Sequence, residues 1–295
     1  MEKNNIAPEI YQLYDKYCHG SMKRREFLKR AGMLTFGGIS GLVMAKALLP
    51  NYAKAQLISF TDERIKAKYV EYDSPGGNSG KMRGYLVQPK GKGPFPAVLI
   101  VHENRGLNPH IEDVARRAAT EGFLAFAPDA LYPLGGYPGN DDDGKVMQKK
   151  LDRDKIFIDM KNGAKFLKAH SLSNGKLGVT GFCFGGAVSN YLAAELGSEL
   201  KIAVPFYGTA IKSEEVKKIK SSLIVQYAED DPRVNATMDE YKKALTAIGV
   251  DFKMHIYPGT KHGFHNNSTP RYDEKAAKLA WQRTISAFKK HLLID

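Results

Sequence analysis

Cysteine is almost missing from this 295-residue chain, which has two, Cys18 and Cys183. So few exclude a fold stapled by several disulfides. A dense Lys/Arg tract interleaved with aromatics is also missing. The net charge is +12, of which +5 falls in the first 56 residues, and the rest is spread along the chain. That pattern predicts a solvated basic surface and no nucleic-acid partner. No internal repeat and no low-complexity linker appears. The mildly apolar run from Ala31 to Leu49 carries Gly32, Gly37, Gly38, Gly41 and Lys46, so it makes a poor membrane span.

What is present falls into two parts. Near the N-terminus, Lys23-Arg24-Arg25-Glu26-Phe27-Leu28-Lys29-Arg30 precedes that weakly apolar run, followed by Pro50 and Ala53-Lys54-Ala55. Paired arginines ahead of Phe-Leu-Lys, then an A-x-A site, read as a twin-arginine export leader over residues 1–55. The expectation is recognition by twin-arginine export machinery, cleavage after Ala55 and a periplasmic mature chain starting at Gln56. Cleavage would take Cys18 with it. The mature chain would then hold Cys183 alone, and an unpaired thiol outside the cytoplasm calls for a task.

From Ile65 onward, apolar runs alternate with amphipathic stretches. Ile65–Tyr72 and Met82–Val87 read as an edge hairpin across Ser74-Pro75-Gly76-Gly77-Asn78. Pro96–His102, Phe123–Ala127, Leu177–Thr180, Ile202–Phe206, Leu223–Tyr227 and Phe252–Tyr257 read as further strands. Helices are expected over His110–Thr120, Lys145–Ala169, Ala236–Ile248 and Asp273–Leu293. Asp129–Asp143 reads as a surface loop near the site. Its run Asp141 to Asp143 lacks alternating calcium-ligand spacing and reads as solvated acid. Strand–helix alternation of this kind predicts one α/β domain over residues 56–295, with a mostly parallel central sheet and helices on both faces.

The chemistry centres on Gly181-Phe182-Cys183-Phe184-Gly185-Gly186. It lies between an apolar strand and a helix-like run, as in the strand–turn–helix of G-x-S-x-G nucleophiles, with sulfur in place of the hydroxyl. So tight a turn strains its central residue and needs tiny neighbours. A thiol nucleophile needs a base and a group to orient that base. Both belong on loops at the carboxyl ends of later strands. After one such strand come Glu229, Asp230 and Asp231, three acids that compete for the role. After another comes Thr260-Lys261-His262-Gly263-Phe264, with His262 between small residues. His265 follows, but no further ligand clusters with the pair, so no metal is expected. An oxyanion hole requires two backbone N–H groups. The amide of Phe184, at a helix start, and that of Asn104, in His102-Glu103-Asn104-Arg105-Gly106, are the candidates.

Together, the His102–Gly106 loop, the Cys183 turn, Tyr227 to Asn235 and His262-Gly263-Phe264-His265-Asn266 resemble the dienelactone hydrolase family of α/β-hydrolases, from about Val70 to the C-terminus. The leader, with Tyr17-Cys18-His19-Gly20 and Arg24-Arg25, resembles that of exported bacterial members. The resemblance implies the α/β-hydrolase fold, hydrolysis of a carboxylic ester or lactone without a cofactor, and a triad of Cys183, His262 and Asp231. It also implies that Glu103 holds the resting thiol and helps activate it as substrate enters. Members that open the lactone of chlorocatechol breakdown hold the substrate carboxylate with arginines, one of them four residues after the catalytic histidine. Here that position is Asn266, and no arginine lies between Leu131 and Leu151. Arg105 and Arg271 are the candidates to substitute. Two other readings are a thioesterase or acyltransferase on the same triad, and a non-catalytic periplasmic module with Cys183 as a redox-sensing thiol.

Overall fold

In a strand covered on both faces, every side chain is apolar and successive ones go to opposite sides. The run Phe95–Val101 shows this. Ala97, Leu99 and Val101 join one buried cluster, and Val98 and Ile100 join another. The computed structural model describes residues 7–18, 22, 24–36, 39–49 and 51–293. His19, Gly20, Lys23, Gly37, Gly38 and Pro50 lie outside the described residues, as do the side chains of Cys18, Ala53 and Lys54.

The N-terminal segment holds α1 (Pro8–Cys18), α2 (Arg24–Gly32), the short strands β1 (Thr35–Phe36) and β2 (Ile39–Ser40), α3 (Gly41–Ala47) and α4 (Tyr52–Ala55). The sheet strands follow: β3 (Ile65–Asp73), β4 (Lys81–Pro89), β5 (Phe95–Val101), β6 (Leu124–Pro128), β7 (Ser173–Phe182), β8 (Leu200–Phe206), β9 (Ser222–Asp230) and β10 (Phe252–Lys261). Their order is β10-β9-β8-β7-β5-β6-β4-β3. The six from β10 to β6 run parallel, and β4 pairs antiparallel with both β6 and β3. The edge hairpin is present.

The later helices are α5 (Pro109–Thr120), α6 (Asp141–Gln148), α7 (Arg153–Ala169), α8 (Phe184–Leu196), α9 (Ser213–Val216), α10 (Pro232–Asn235), α11 (Met238–Ile248) and α12 (Glu274–Leu292). Buried residues of α7, α8 and α11 cover one face of the sheet, and those of α5 and α12 the other. This is the mostly parallel α/β architecture expected. The N-terminal segment has a third cluster of its own, with Ile10, Tyr14, Tyr17, Phe27, Ala31 and Leu48.

Two expectations need correction. The helix expected over Lys145–Ala169 is two helices, α6 and α7. The Asp152 side chain caps α7 by accepting from Asp154 N and Lys155 N, which makes a fresh start there favourable. The acidic stretch is not a solvated loop. Tyr132–Leu134 is a 3-10 turn, and Asp141 to Asp143 form the first turn of α6, where carboxylates suit the helix dipole. Asp141 is buried.

Candidate active site

β7 enters the turn with backbone packed against backbone. A Cβ on Gly181 would stand 2.2 Å from the Gly185 carbonyl oxygen, one on Gly185 2.2 Å from that of Val101, and one on Gly186 2.4 Å from that of Phe206. Only glycine fits those three places. Between them Cys183 has φ 57° and ψ −110°. For a non-glycine residue such a conformation costs about 1–3 kcal/mol. Hydrogen bonds on both sides hold it: Cys183 N donates to Phe206 O at 3.1 Å, and Ala187 N to Cys183 O at 3.1 Å. Burial of Val188, Leu192 and Leu196 anchors α8 behind it, each such side chain contributing roughly 1.5–3 kcal/mol.

The sheet delivers the other groups to the same end. β9 stops at Asp230 and β10 at Lys261, so Asp231 and His262 leave neighbouring parallel strands side by side. His262 Nδ1 lies 2.5 Å from Asp231 Oδ2, with both side chains buried. The competing acids are exposed and engaged elsewhere. Asp230 pairs with Lys261, and Glu229 accepts from Gly259 N at 2.8 Å. Tyr207, at the end of β8, packs its ring 4.9 Å from that of His262. It is buried with φ 35°.

Cys183 and His262 line one cavity of about 40 Å³, together with Glu103, Asn104, Arg105 and Arg271. Glu103 is buried and accepts from Asn266 Nδ2 at 3.2 Å. Burial raises its carboxyl above the ordinary value, against the pull of Arg105, Asn266 and Arg271. Burial, and then the Glu103 charge, push the Cys183 thiol up to about 12, while Arg233, Arg105 and the Phe184 amide pull it down. The closed site therefore favours a neutral thiol. The Phe184 N–H is close enough to act on the sulfur, and Asn104 lines the cavity. His102 is buried, held neutral with its pKa lowered to about 4 by burial, and accepts from Ala130 N at Nε2. It shapes the loop that carries Glu103 and Asn104.

The two arginines occupy different places. Arg105 is buried against Asp141 at 3.6 Å. Arg271 donates to His262 O at 3.0 Å and lies 4.7 Å over the Tyr14 ring. Among the described residues, no group of three or more His, Cys, Asp or Glu could hold a metal ion, and no helix is long and apolar enough to cross a membrane.

Sequence reasoning missed four residues. Asp141 lines the cavity and takes hydrogen bonds from the hydroxyls of Tyr52 at 2.6 Å and Tyr137 at 2.9 Å. Tyr14 and Tyr17, from α1, form part of the cavity wall. Tyr207 is the fourth. The one trace of it in the sequence is the glycine that follows, Gly208, where a Cβ would stand 2.2 Å from the Gly186 carbonyl carbon.

A family model described as Dienelactone hydrolase family matches residues 82–292. A second, described as YqhI-like, matches residues 1–35. The protein usf of Aquifex pyrophilus is 37% identical over 233 residues, covering 76% of this chain and 98% of that protein. A candidate carboxymethylenebutenolidase of Aquifex aeolicus is 36% identical over 239 residues, with 76% and 98% covered. The crystal structure of a candidate dienelactone hydrolase from Klebsiella pneumoniae superposes with a TM-score of 0.66 at 28% identity, covering 76% of this chain and 99% of that one.

Proposed function

The chain belongs to the dienelactone hydrolase family and is a hydrolase, and on that premise we propose that it cleaves a carboxylic ester or lactone through Cys183, His262 and Asp231. One observation carries the reading: a thiol presented at a positive φ lines the same small cavity as an imidazole whose far nitrogen is held by a buried carboxylate.

His262 takes the Cys183 proton as sulfur attacks the carbonyl carbon. The C–S bond forms, and the electron pair moves to the carbonyl oxygen. The amides of Phe184 and Asn104 receive that oxyanion, donors of this kind being worth about 3 kcal/mol each. Asp231 keeps the Nδ1 proton in place and stabilises the imidazolium. The imidazolium protonates the leaving oxygen as the C–O bond breaks, giving a thioester. His262 then deprotonates water, which attacks the thioester, and the sulfur leaves with the proton returned. Burial, and after it the Glu103 charge, keeps the thiol neutral at rest, and substrate entry changes that balance. Arg105 and Arg271 are the positive groups at the cavity for an acidic substrate. A sulfur held as neutral thiol is a slow target for oxidants, which weighs against a redox-sensing role.

The same reading gives residues 1–55 as a twin-arginine leader, removed after Ala55, with the enzyme acting in the periplasm. N-terminal sequencing of exported protein should start at Gln56; a start at Met1 or Glu2 would refute cleavage. For the chemistry, p-nitrophenyl acetate and a dienelactone are assayed with the parent, Cys183→Ala and His262→Ala, and the acyl-enzyme is sought by intact-protein mass spectrometry. Either substitution should remove most activity with the fold unchanged. Full activity in Cys183→Ala would end the mechanism. Product analysis with added alcohol or amine separates hydrolysis from acyl transfer.

A further inference from the structure

The chain's own N-terminal helix borders the cavity at Cys183. Tyr14 and Tyr17 form part of its wall, and about 40 Å³ remains. A buried water needs about 10–15 Å³, whereas small-molecule sites usually have about 300–1,000 Å³. The space takes a few waters and no ester of useful size. The lower wall cannot widen, because the Cys183 turn and the β9 and β10 ends are fixed by the sheet. α1, which brings Tyr14 and Tyr17 to the wall, is the element whose departure would make room for substrate.

Polar contacts seat the segment both at exposed groups and at buried ones such as Asp141, which accepts from Tyr52, and Arg271 lies over the Tyr14 ring. The Tyr17 hydroxyl donates to Asp142, and Lys145 Nζ to the Tyr17 carbonyl. Arg24 meets Asp142 at 3.3 Å. Further along, Asn51 N donates to Ser268 O at 2.7 Å, and Asn267 Nδ2 to Ala55 O at 2.7 Å. The apolar cluster of the segment is separate from the two clusters of the domain. It can therefore leave without opening either core. Exposed ion pairs such as Arg24–Asp142 are worth about 0–1 kcal/mol, so that contact resists release little.

We propose that the described residues of the N-terminal segment, α1 to α4, form a self-docked plug, so that the face around the site mouth is a binding surface for the chain's own α1 and ester substrates reach Cys183 only when the segment lifts or is cut away after Ala55. This rests on the proposed function, since it takes the cavity to be the ester site. It also gives the leader a second task, keeping the thiol out of reach until the leader is removed.

The test uses the full-length chain and a readout independent of hydrolysis, the rate of Cys183 alkylation by iodoacetamide, located by peptide mass spectrometry. Asp142→Arg should unseat Arg24 and Tyr17 and speed alkylation by about tenfold or more, as expected when a closed state stops dominating. Adding Arg24→Glu to that variant should restore the slow rate. Tyr17→Ala removes the wall itself and should speed alkylation even if docking survives. p-Nitrophenyl acetate hydrolysis should rise in the same order. Equal alkylation rates in the parent, Asp142→Arg and Tyr17→Ala would overturn the plug. Fast hydrolysis by the parent, matched by both variants, would overturn it too and leave the hydrolytic reading standing. Faster alkylation with no hydrolysis in any form would uphold the plug and sink that reading.

Discussion

The floor and the roof of the cavity are held by different forces. The floor is backbone: three glycines in contact with carbonyl oxygens, two parallel strand ends, and a buried Asp231–His262 pair. The roof is a helix whose Tyr14 and Tyr17 belong to an apolar cluster separate from those of the sheet, seated on the domain largely by side-chain contacts. A site needs sub-ångström constancy where bonds are made, and sheet hydrogen bonding supplies it. Access needs an element whose displacement costs little, and a few surface contacts supply that. The contrast predicts large losses from changes in the floor and small ones from changes in the roof.

The strongest test of the floor is Asp231→Asn. The amide can keep the spacing but cannot stabilise the imidazolium, so kcat/KM should fall by about 10⁴. A fall below tenfold would show that the pair is structural. Next is Gly185→Ala. Its new Cβ would meet the Val101 carbonyl oxygen at 2.2 Å, backbone that cannot yield, and the loss should be upward of about 4 kcal/mol. Denaturant unfolding would read it, and an unchanged midpoint would mean that the turn is looser than drawn.

A pH test probes the domain beyond the floor, at the end of β6. Asp129 accepts from Leu131 N at 3.0 Å, and burial raises its pKa from 3.8 to about 6. A raised carboxyl pKa favours the protonated form in the folded state. Its contribution is therefore fully present below about pH 4 and lost as pH climbs through about 6. Asp129→Asn should flatten the stability profile over that window, by up to about 3 kcal/mol. Parallel profiles for parent and variant would contradict the burial argument. The smallest effect should come from the roof. Tyr52→Phe deletes the hydroxyl that donates to Asp141, a bond worth about 1 kcal/mol. Thiol alkylation should then quicken by only a few-fold, and a change as large as that in Asp142→Arg would shift the latch from Asp142 to Asp141.

The floor was legible in the sequence because its requirements are local. Gly181, Gly185 and Gly186 must lack a Cβ, and apolar runs of strand length must be buried on both faces. The order Cys183, Asp231, His262 placed three loops at the carboxyl ends of parallel strands. The choice of Asp231 over Asp230 and Glu229 was not local. It depends on which carboxylate turns back under His262, and both neighbours went to exposed partners. The roof was hidden for another reason. Asp142 meets Tyr17 and Arg24 across more than a hundred residues, and a run of acids reads as solvated until its cations are seen. Tyr207 was hidden too, since a positive φ at a buried tyrosine breaks the rule by which glycine is expected there.

The bend at residue 183 is strict about the atoms beside it and indifferent to the atom at its apex. The three glycines leave no space for a β-carbon, yet nothing in that arrangement asks for a third-row element. An oxygen would sit there without moving the chain. On the proposed mechanism, sulfur would differ from oxygen there in reactivity: a larger, more polarisable centre that gives up its hydrogen more readily than an alcohol does. The same scaffold could serve either chalcogen, and the choice is made by one atom.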